Sequence, residues 1–100
     1  MLKVGLVVRL VAKAGKEEAV ATFLAGALPL AEAEALTVTW FALRSGKSTF
    51  YIVDAFAEDR GRDAHLNGPI AAALMANAAD LLSEPPSIEK VDVLAVKLGK

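Results

Sequence analysis

The stretch Leu36–Phe56, LTVTWFALRSGKSTFYIVDAF, decides the fold of this chain. It contains two segments rich in Thr, Val and aromatic residues, Leu36 to Arg44 and Ser48 to Phe56, and such segments are typical of β-strands. Ser45 and Gly46 supply a turn between them, so we predict an antiparallel hairpin. In the register that we expect, Leu43 lies opposite Ser48, Phe41 opposite Phe50, Trp40 opposite Tyr51 and Thr37 opposite Asp54.

A strand and a helix precede this hairpin, and a helix and a strand follow it. The first strand runs from about Lys3 to Ala12. The helix after it begins near Lys16, is kinked or ended by Gly26 and Pro29, and continues for a turn from Ala31 to Ala35. A short helical turn through His65 leads to a second helix from Pro69 to Leu82, capped by Asn67 or Gly68. Ile88 to Leu98 forms the fourth strand.

The resulting order, β-α-β-β-α-β, predicts the fold class. Right-handed crossovers place both helices on one face of a four-stranded antiparallel sheet, which is an α+β, ferredoxin-like arrangement. One hundred residues fit a single domain, here residues 1–100.

Both faces of this sheet are apolar, although two helices cover only one of them. The hydrophobic fraction is 55%, above the usual 45–50%, and each predicted strand carries apolar residues at both parities. The second face therefore needs a partner, and we predict a homodimer that packs sheet on sheet. In the expected register Trp40 and Tyr51 lie on this dimer face, opposite in parity to Asp54.

Charge and composition exclude several classes of function. The net charge is −1 with scattered basic residues, which gives no footprint for nucleic acid. There is no cysteine, which excludes thiol catalysis and Cys-ligated zinc. One histidine with dispersed carboxylates lacks the spacing of metal ligands, so we expect no metal. The apolar run from Val4 to Val8 is too short for a membrane span, and we expect a cytoplasmic protein without a membrane partner.

Several local strings occur in an order and spacing that resemble one known family. They are AKAGKEE at 12–18, Glu34 just before the second strand, FYIVDAF at 50–56 and DAHLNGP at 63–69. In this respect the chain resembles the antibiotic biosynthesis monooxygenase family of dimeric α/β barrels. The resemblance implies an enzyme without cofactor that oxidises a small hydrophobic aromatic or quinol-like substrate with dioxygen, after the substrate has lost a proton.

The resemblance also assigns candidate positions. Asp54 takes the place of the family's strand-three acid, Phe56 that of its tryptophan, and His65 that of its helical histidine. Phe56 has no indole N–H, so this position lacks the hydrogen-bond donor that the family's tryptophan provides. The haem-degrading branch of the same fold uses a strand-one Asn, the strand-three Trp and a helical His that ligates iron. The corresponding places here are Val8, Phe56 and a residue near Met75, so that branch is excluded.

We therefore name His65 and Asp54 as catalytic candidates, each with a structural alternative. His65 is the only histidine and would carry acid–base chemistry near neutral pH, or it would only hold a helix break. Asp54 would be a base of raised pKa, or a structural acceptor satisfied by Thr37 or Arg9. The predicted substrate-binding residues are Phe23, Phe41, Phe50, Phe56 and Asn67.

Two functions from different classes remain open at this point. The first is a cofactor-independent monooxygenase with a pocket between helices and sheet. The second is a non-catalytic dimer that binds a small ligand or serves in stress protection, and it remains because one fold hosts many functions. A cavity of a few hundred Å³ that reaches His65 would favour the enzyme.

Overall fold

The computed structural model of the protein describes residues 1–99, so the predicted end of the domain at Lys100 lies outside it. The elements are β1 (Val4–Val11), α1 (Glu17–Gly26), α2 (Leu28–Ala33), β2 (Thr39–Ser45), β3 (Thr49–Phe56), α3 (Asp59–Leu66), α4 (Pro69–Leu81) and β4 (Ser87–Asp92). The four strands form one antiparallel sheet in the order β2-β3-β1-β4. The predicted ferredoxin-like α+β fold is confirmed.

The helix boundaries follow from local chemistry. Glu17 and Glu18 lie in the first turn of α1, where carboxylates interact favourably with the helix dipole. Pro29 ends that helix as predicted, because proline is tolerated only in the first turn of the next one, α2. Gly68 caps α4 and Pro69 is its first residue, which is the expected use of proline at this position.

The core lies between the sheet and the helices. Along β3 the buried residues alternate with half-buried ones, as expected for a strand with one covered face. On the covered side, Phe50 and Ile52 pack with Leu10 of β1, Leu24 of α1 and Leu74 of α4. Asp54 belongs to the same buried parity as Phe50 and Ile52 and is 3% exposed.

The predicted register of the hairpin is wrong. Ser45 pairs with Thr49, around a three-residue loop in which Gly46 has a φ of +72°, a conformation that glycine adopts without strain. Trp40 therefore lies opposite Asp54, and Phe41 lies opposite Val53. Because the true loop has an odd number of residues, the side chains of β2 exchange faces relative to the prediction.

The fourth strand is shorter than predicted. It ends at Asp92, opposite the first residue of β1, Val4, and the Val93 N–H then donates to Lys3 O at 2.9 Å. Residues 93–99 extend beyond Val4, where β1 begins, so within residues 1–99 they have no strand to pair with, although apolar residues alternate along them. Leu94, which the sequence places in a strand, is 97% exposed.

Candidate functional site

His65 lies on α3, and its side chain points from the helix layer toward β3. Three residues earlier on the same helix, Arg62 Nη1 donates to Gly5 O and Val91 O, each at 3.2 Å, which holds α3 against β1 and β4. Side chains three residues apart share one helix face, so the imidazole also points toward the sheet. Its side chain is 7% exposed.

Each ring nitrogen of His65 meets a carboxylate. Nδ1 lies 2.6 Å from Glu34 Oε1, and Nε2 lies 3.0 Å from Asp54 Oδ2. The second contact is short, but neither Asp54 oxygen receives a well-aligned donor from residues 1–99. We therefore describe it as an ion pair rather than a directed hydrogen bond. The two carboxylates and the imidazole form what we call the Asp54–His65–Glu34 cluster.

The partners predicted for Asp54 are both wrong. Thr37 Oγ1 donates instead to Glu34 Oε1 at 2.7 Å, because the shift in register removes Thr37 from its expected place opposite Asp54. Arg9 pairs instead with Glu84 at 3.5 Å. Leu6 is the β1 residue that lies across from Asp54. Arg9 projects from the other face of β1 and therefore does not reach Asp54. The Asp54 side chain, with no exposed surface, faces His65.

Glu34 is the site residue that the sequence analysis did not select. It caps the end of α2, and its Oε1 accepts from both Thr37 and His65. The one feature of the sequence that pointed to Glu34 was its position just before the second strand, among the residues that carry the family resemblance. Spacing alone gave no reason to bring it to His65, which lies 31 residues further along the chain.

The cluster favours the protonated form of His65. Burial alone would lower the pKa of the imidazole, but the contacts with Asp54 and then Glu34 oppose this, and the net pKa is raised above its ordinary value. A protonated ring has an N–H on each nitrogen, one toward Glu34 Oε1 and one on the side of Asp54 Oδ2.

Trp40 lies on the helix side of the sheet, which corrects its predicted place on the dimer face. It is directly opposite Asp54 and packs against both apolar clusters of the interior. Its indole Nε1 is buried and has no acceptor among residues 1–99. The interior therefore contains an indole N–H, which Trp40 supplies. Tyr51 lies on the opposite face, as predicted.

A cavity of about 230 Å³ opens beside the cluster. Glu34, Thr37 and His65 are the lining residues with polar side chains, and the remaining wall is apolar or backbone. The full lining is Glu34, Ala35, Leu36, Thr37, Gly61, Ala64, His65, Gly68 and Pro69. An apolar cavity with a few convergent polar groups is the usual form of a small-molecule site.

The other predicted site residues are only partly brought together. Phe56 is fully buried, and its ring centroid lies 5.6 Å from that of His65. Phe23 and Phe50 belong to the main core, away from the cavity. Phe41 lies on the outer sheet face and is 55% exposed. Asn67 is exposed, and its side-chain amide donates to Asp63 O at 2.9 Å, which caps α3.

Neither a cluster of metal ligands nor a membrane-spanning helix occurs within residues 1–99. In residues 1–99 no group of three or more His, Cys, Asp or Glu side chains could hold a metal ion. Within the same residues, none of the helices combines the length and the apolar character needed to cross a membrane.

Comparison with solved structures shows which proteins share this fold. An antibiotic biosynthesis monooxygenase matches with a TM-score of 0.78 at 11% identity, covering 92% of this chain and 99% of that chain. The protein PA3566 from Pseudomonas aeruginosa matches with a TM-score of 0.81 at 20% identity, covering 95% and 97%. At these identities the likeness is one of fold, and the fold that the sequence resemblance predicts is the one that the chain shares with these structures.

A third structure is similar in sequence as well. It is NE2512 from Nitrosomonas europaea, a protein of unknown function, with 65% identity, a TM-score of 0.97, and coverage of 100% of this chain and 97% of that chain. The chain belongs to the same family as NE2512. No protein-family model matches the sequence, and no curated protein matches it.

Proposed function

We propose that the protein is a cofactor-independent monooxygenase that acts on a small hydrophobic aromatic or quinol-like molecule in the cavity beside His65. The observation that carries this proposal is the buried Asp54–His65–Glu34 cluster at the wall of an otherwise apolar cavity. Buried titratable groups of this kind are concentrated at functional sites. We also propose that residues 1–100 form one domain and that the protein is cytoplasmic.

The chemistry that we propose begins with proton removal. Loss of a proton leaves an electron pair delocalised over the aromatic system of the substrate, and this anion donates electrons to dioxygen. For an anthrone-type substrate, the ring CH₂ and O₂ give a ring C=O and water, so one oxygen atom forms the carbonyl and the other leaves with both hydrogens. The protein's part is to bind the aromatic body, to hold the Glu34 carboxylate at the cavity wall as the acceptor of that proton, and to exclude water.

Oxygen uptake with a panel of anthrones and quinols tests this activity. Wild-type protein should accelerate uptake above the buffer rate, and His65→Gln should lose most of the acceleration because the cluster loses its cation. Asp80→Asn, which changes an exposed carboxylate on α4, is the matched control and should keep the wild-type rate. If no substrate is turned over, or if His65→Gln is as fast as wild type, the proposed activity is wrong.

The alternative function is a non-catalytic dimer that binds a small apolar ligand. The observation in its favour is that both ring nitrogens of His65 are already engaged by carboxylates, which is also the pattern of a structural histidine. The cavity beside His65 supports the enzyme, and the replacement of the family's tryptophan by Phe56 supports the alternative. Tight binding of an aromatic ligand without any turnover would decide for the alternative.

We also propose a homodimer that forms through the outer face of the sheet. Phe41 and Leu43 lie on that face with 55% and 47% of their surface exposed, and Val7 and Val53 continue the apolar patch across β1 and β3. An exposed apolar patch of this kind is typical of a surface that another chain covers. The net charge of −1 gives no support for a nucleic-acid partner.

A further inference from the structure

The polar side chains that line the cavity belong to Glu34, Thr37 and His65. Both nitrogens of His65 face carboxylates, and the Thr37 hydroxyl already donates to Glu34. The carboxylate of Glu34 is therefore the charged acceptor of the lining, whereas Thr37 Oγ1, whose proton is already used, can accept only as a neutral oxygen.

The two oxygens of Glu34 have different surroundings. Oε1 receives two donors, from His65 Nδ1 at 2.6 Å and Thr37 Oγ1 at 2.7 Å, which hold that oxygen. Oε2 has no donor from residues 1–99 and is closed to a water-sized molecule. A buried acceptor without a donor is unfavourable, so a small rotation of the carboxylate that brings Oε2 to the cavity wall, where a ligand hydroxyl donates to it, relieves this cost.

The charge of the cluster restricts the chemistry of that ligand. Two carboxylates face a single imidazole there, so the formal charge of the cluster beside the apolar wall is negative in either form of the imidazole. An anionic ligand would be repelled there, whereas a neutral hydroxyl group would donate a charge-assisted hydrogen bond. The apolar remainder of the lining suits an aromatic body.

We propose that the Glu34 carboxylate is the group that contacts the substrate, by accepting a hydrogen bond from the hydroxyl of a neutral phenol- or quinol-type molecule. This inference rests on the proposed function for the location of the pocket and for the substrate class, and it adds the residue that contacts the substrate. Thr37 and His65 are then positioning residues, because both hold Oε1.

Gly68 supports this role of Glu34. A Cβ at position 68 would lie 3.2 Å from Oε2 and 3.2 Å from Ala64 O, which is closer than ordinary van der Waals contact. The missing side chain therefore leaves the space that the carboxylate occupies at the junction of α3 and α4. Gly68→Ala moves the carboxylate without removing its charge.

Calorimetric titration with three naphthalene probes tests the proposal. 2-Naphthol offers a hydroxyl donor, 2-naphthoate is an anion, and naphthalene has neither group. Wild-type protein should bind 2-naphthol about tenfold more tightly than naphthalene, which corresponds to one hydrogen bond to a charged acceptor, and should bind 2-naphthoate most weakly. In Glu34→Gln the preference for 2-naphthol should fall to about threefold or less, because a neutral acceptor is weaker.

Glu32→Gln is the matched control, since Glu32 is an exposed residue of α2 outside this cavity, and it should keep the full preference. Gly68→Ala should also reduce it, with Gly26→Ala as control because a Cβ at position 26 meets nothing within 4 Å. Should Glu34→Gln fail to fold, the Gly68→Ala pair alone decides.

An unchanged preference in Glu34→Gln or Gly68→Ala would overturn the proposal, as would wild-type protein that binds 2-naphthoate most tightly or does not bind 2-naphthol. These measurements need no oxygen chemistry. Selective binding of 2-naphthol without oxygen uptake would therefore overturn the monooxygenase activity and support the assignment of Glu34.

Discussion

The imidazole of His65 differs from that of a surface histidine because carboxylates face both of its nitrogens. The pKa of His65 is raised because the contacts with Asp54 and Glu34 outweigh the effect of burial. Since His65 is the only histidine, a proton NMR titration reports it without assignment by mutagenesis. We predict a midpoint above the ordinary value of about 6.5. A midpoint at or below that value would contradict the described cluster.

The same shift predicts how stability depends on pH. A group whose pKa is raised in the folded state stabilises the fold fully below its unfolded value, near 6.5, and this contribution is lost as the pH rises through the folded pKa. The free energy of unfolding of wild type should therefore fall over this interval relative to that of His65→Gln. Urea denaturation at a series of pH values measures the difference, and parallel curves for the two proteins would refute the prediction.

Asp54 can be tested without a change of side-chain shape. Asp54→Asn removes the buried charge beside the protonated His65, and we expect unfolding to become easier by about 1–3 kcal/mol below pH 6.5. Asp80→Asn, at an exposed carboxylate, should change stability by less than about 0.5 kcal/mol. Equal effects of the two substitutions in chemical denaturation would show that Asp54 has no buried partner.

Among the elements, the hairpin depends most on one turn. Gly46 has a positive φ of +72°, so Gly46→Ala should destabilise the protein by about 1 kcal/mol. Gly26 is the last residue of α1, where the same substitution should be neutral or slightly stabilising. Thermal unfolding of the two variants measures this contrast, and a neutral Gly46→Ala would argue against the three-residue loop.

This turn also explains which parts of the architecture the sequence could predict. The order of elements follows from apolar periodicity, proline and glycine, and the structure confirms it. The register of the hairpin depends on the number of residues in the turn, which Ser45 and Gly46 do not specify. The error moved Trp40 and Phe41 to the wrong faces. The end of β4 depends on where β1 begins, and this too is a tertiary relation.

The residues of the candidate site were also only partly predictable from the sequence. Asp54, Phe56 and His65 were selected from motifs, and the structure brings these three together. Glu34 was not selected because a carboxylate at the end of a short helix has no local feature that indicates burial. Phe41 and Asn67 were chosen for side-chain chemistry alone, and their positions were decided by register and by helix capping.

The whole molecule leaves one sheet face uncovered. If a second copy covers it, Phe41→Glu should convert the dimer to a monomer, because a buried charge without a partner opposes association. Met75→Glu is the control, since Met75 is 58% exposed but lies on α4, on the other side of the sheet. Light scattering after size-exclusion chromatography measures the mass. A wild-type monomer in dilute solution would contradict the dimer.

Both proposals depend on the cavity beside His65 being the ligand site. The most direct measurement is a crystal structure of the protein with 2-naphthol bound. We predict density for the ligand between Ala64, Pro69 and Leu36, with its hydroxyl oxygen within hydrogen-bond distance of the Glu34 carboxylate. Density only at another surface, or a naphthol whose hydroxyl points away from Glu34, would contradict it.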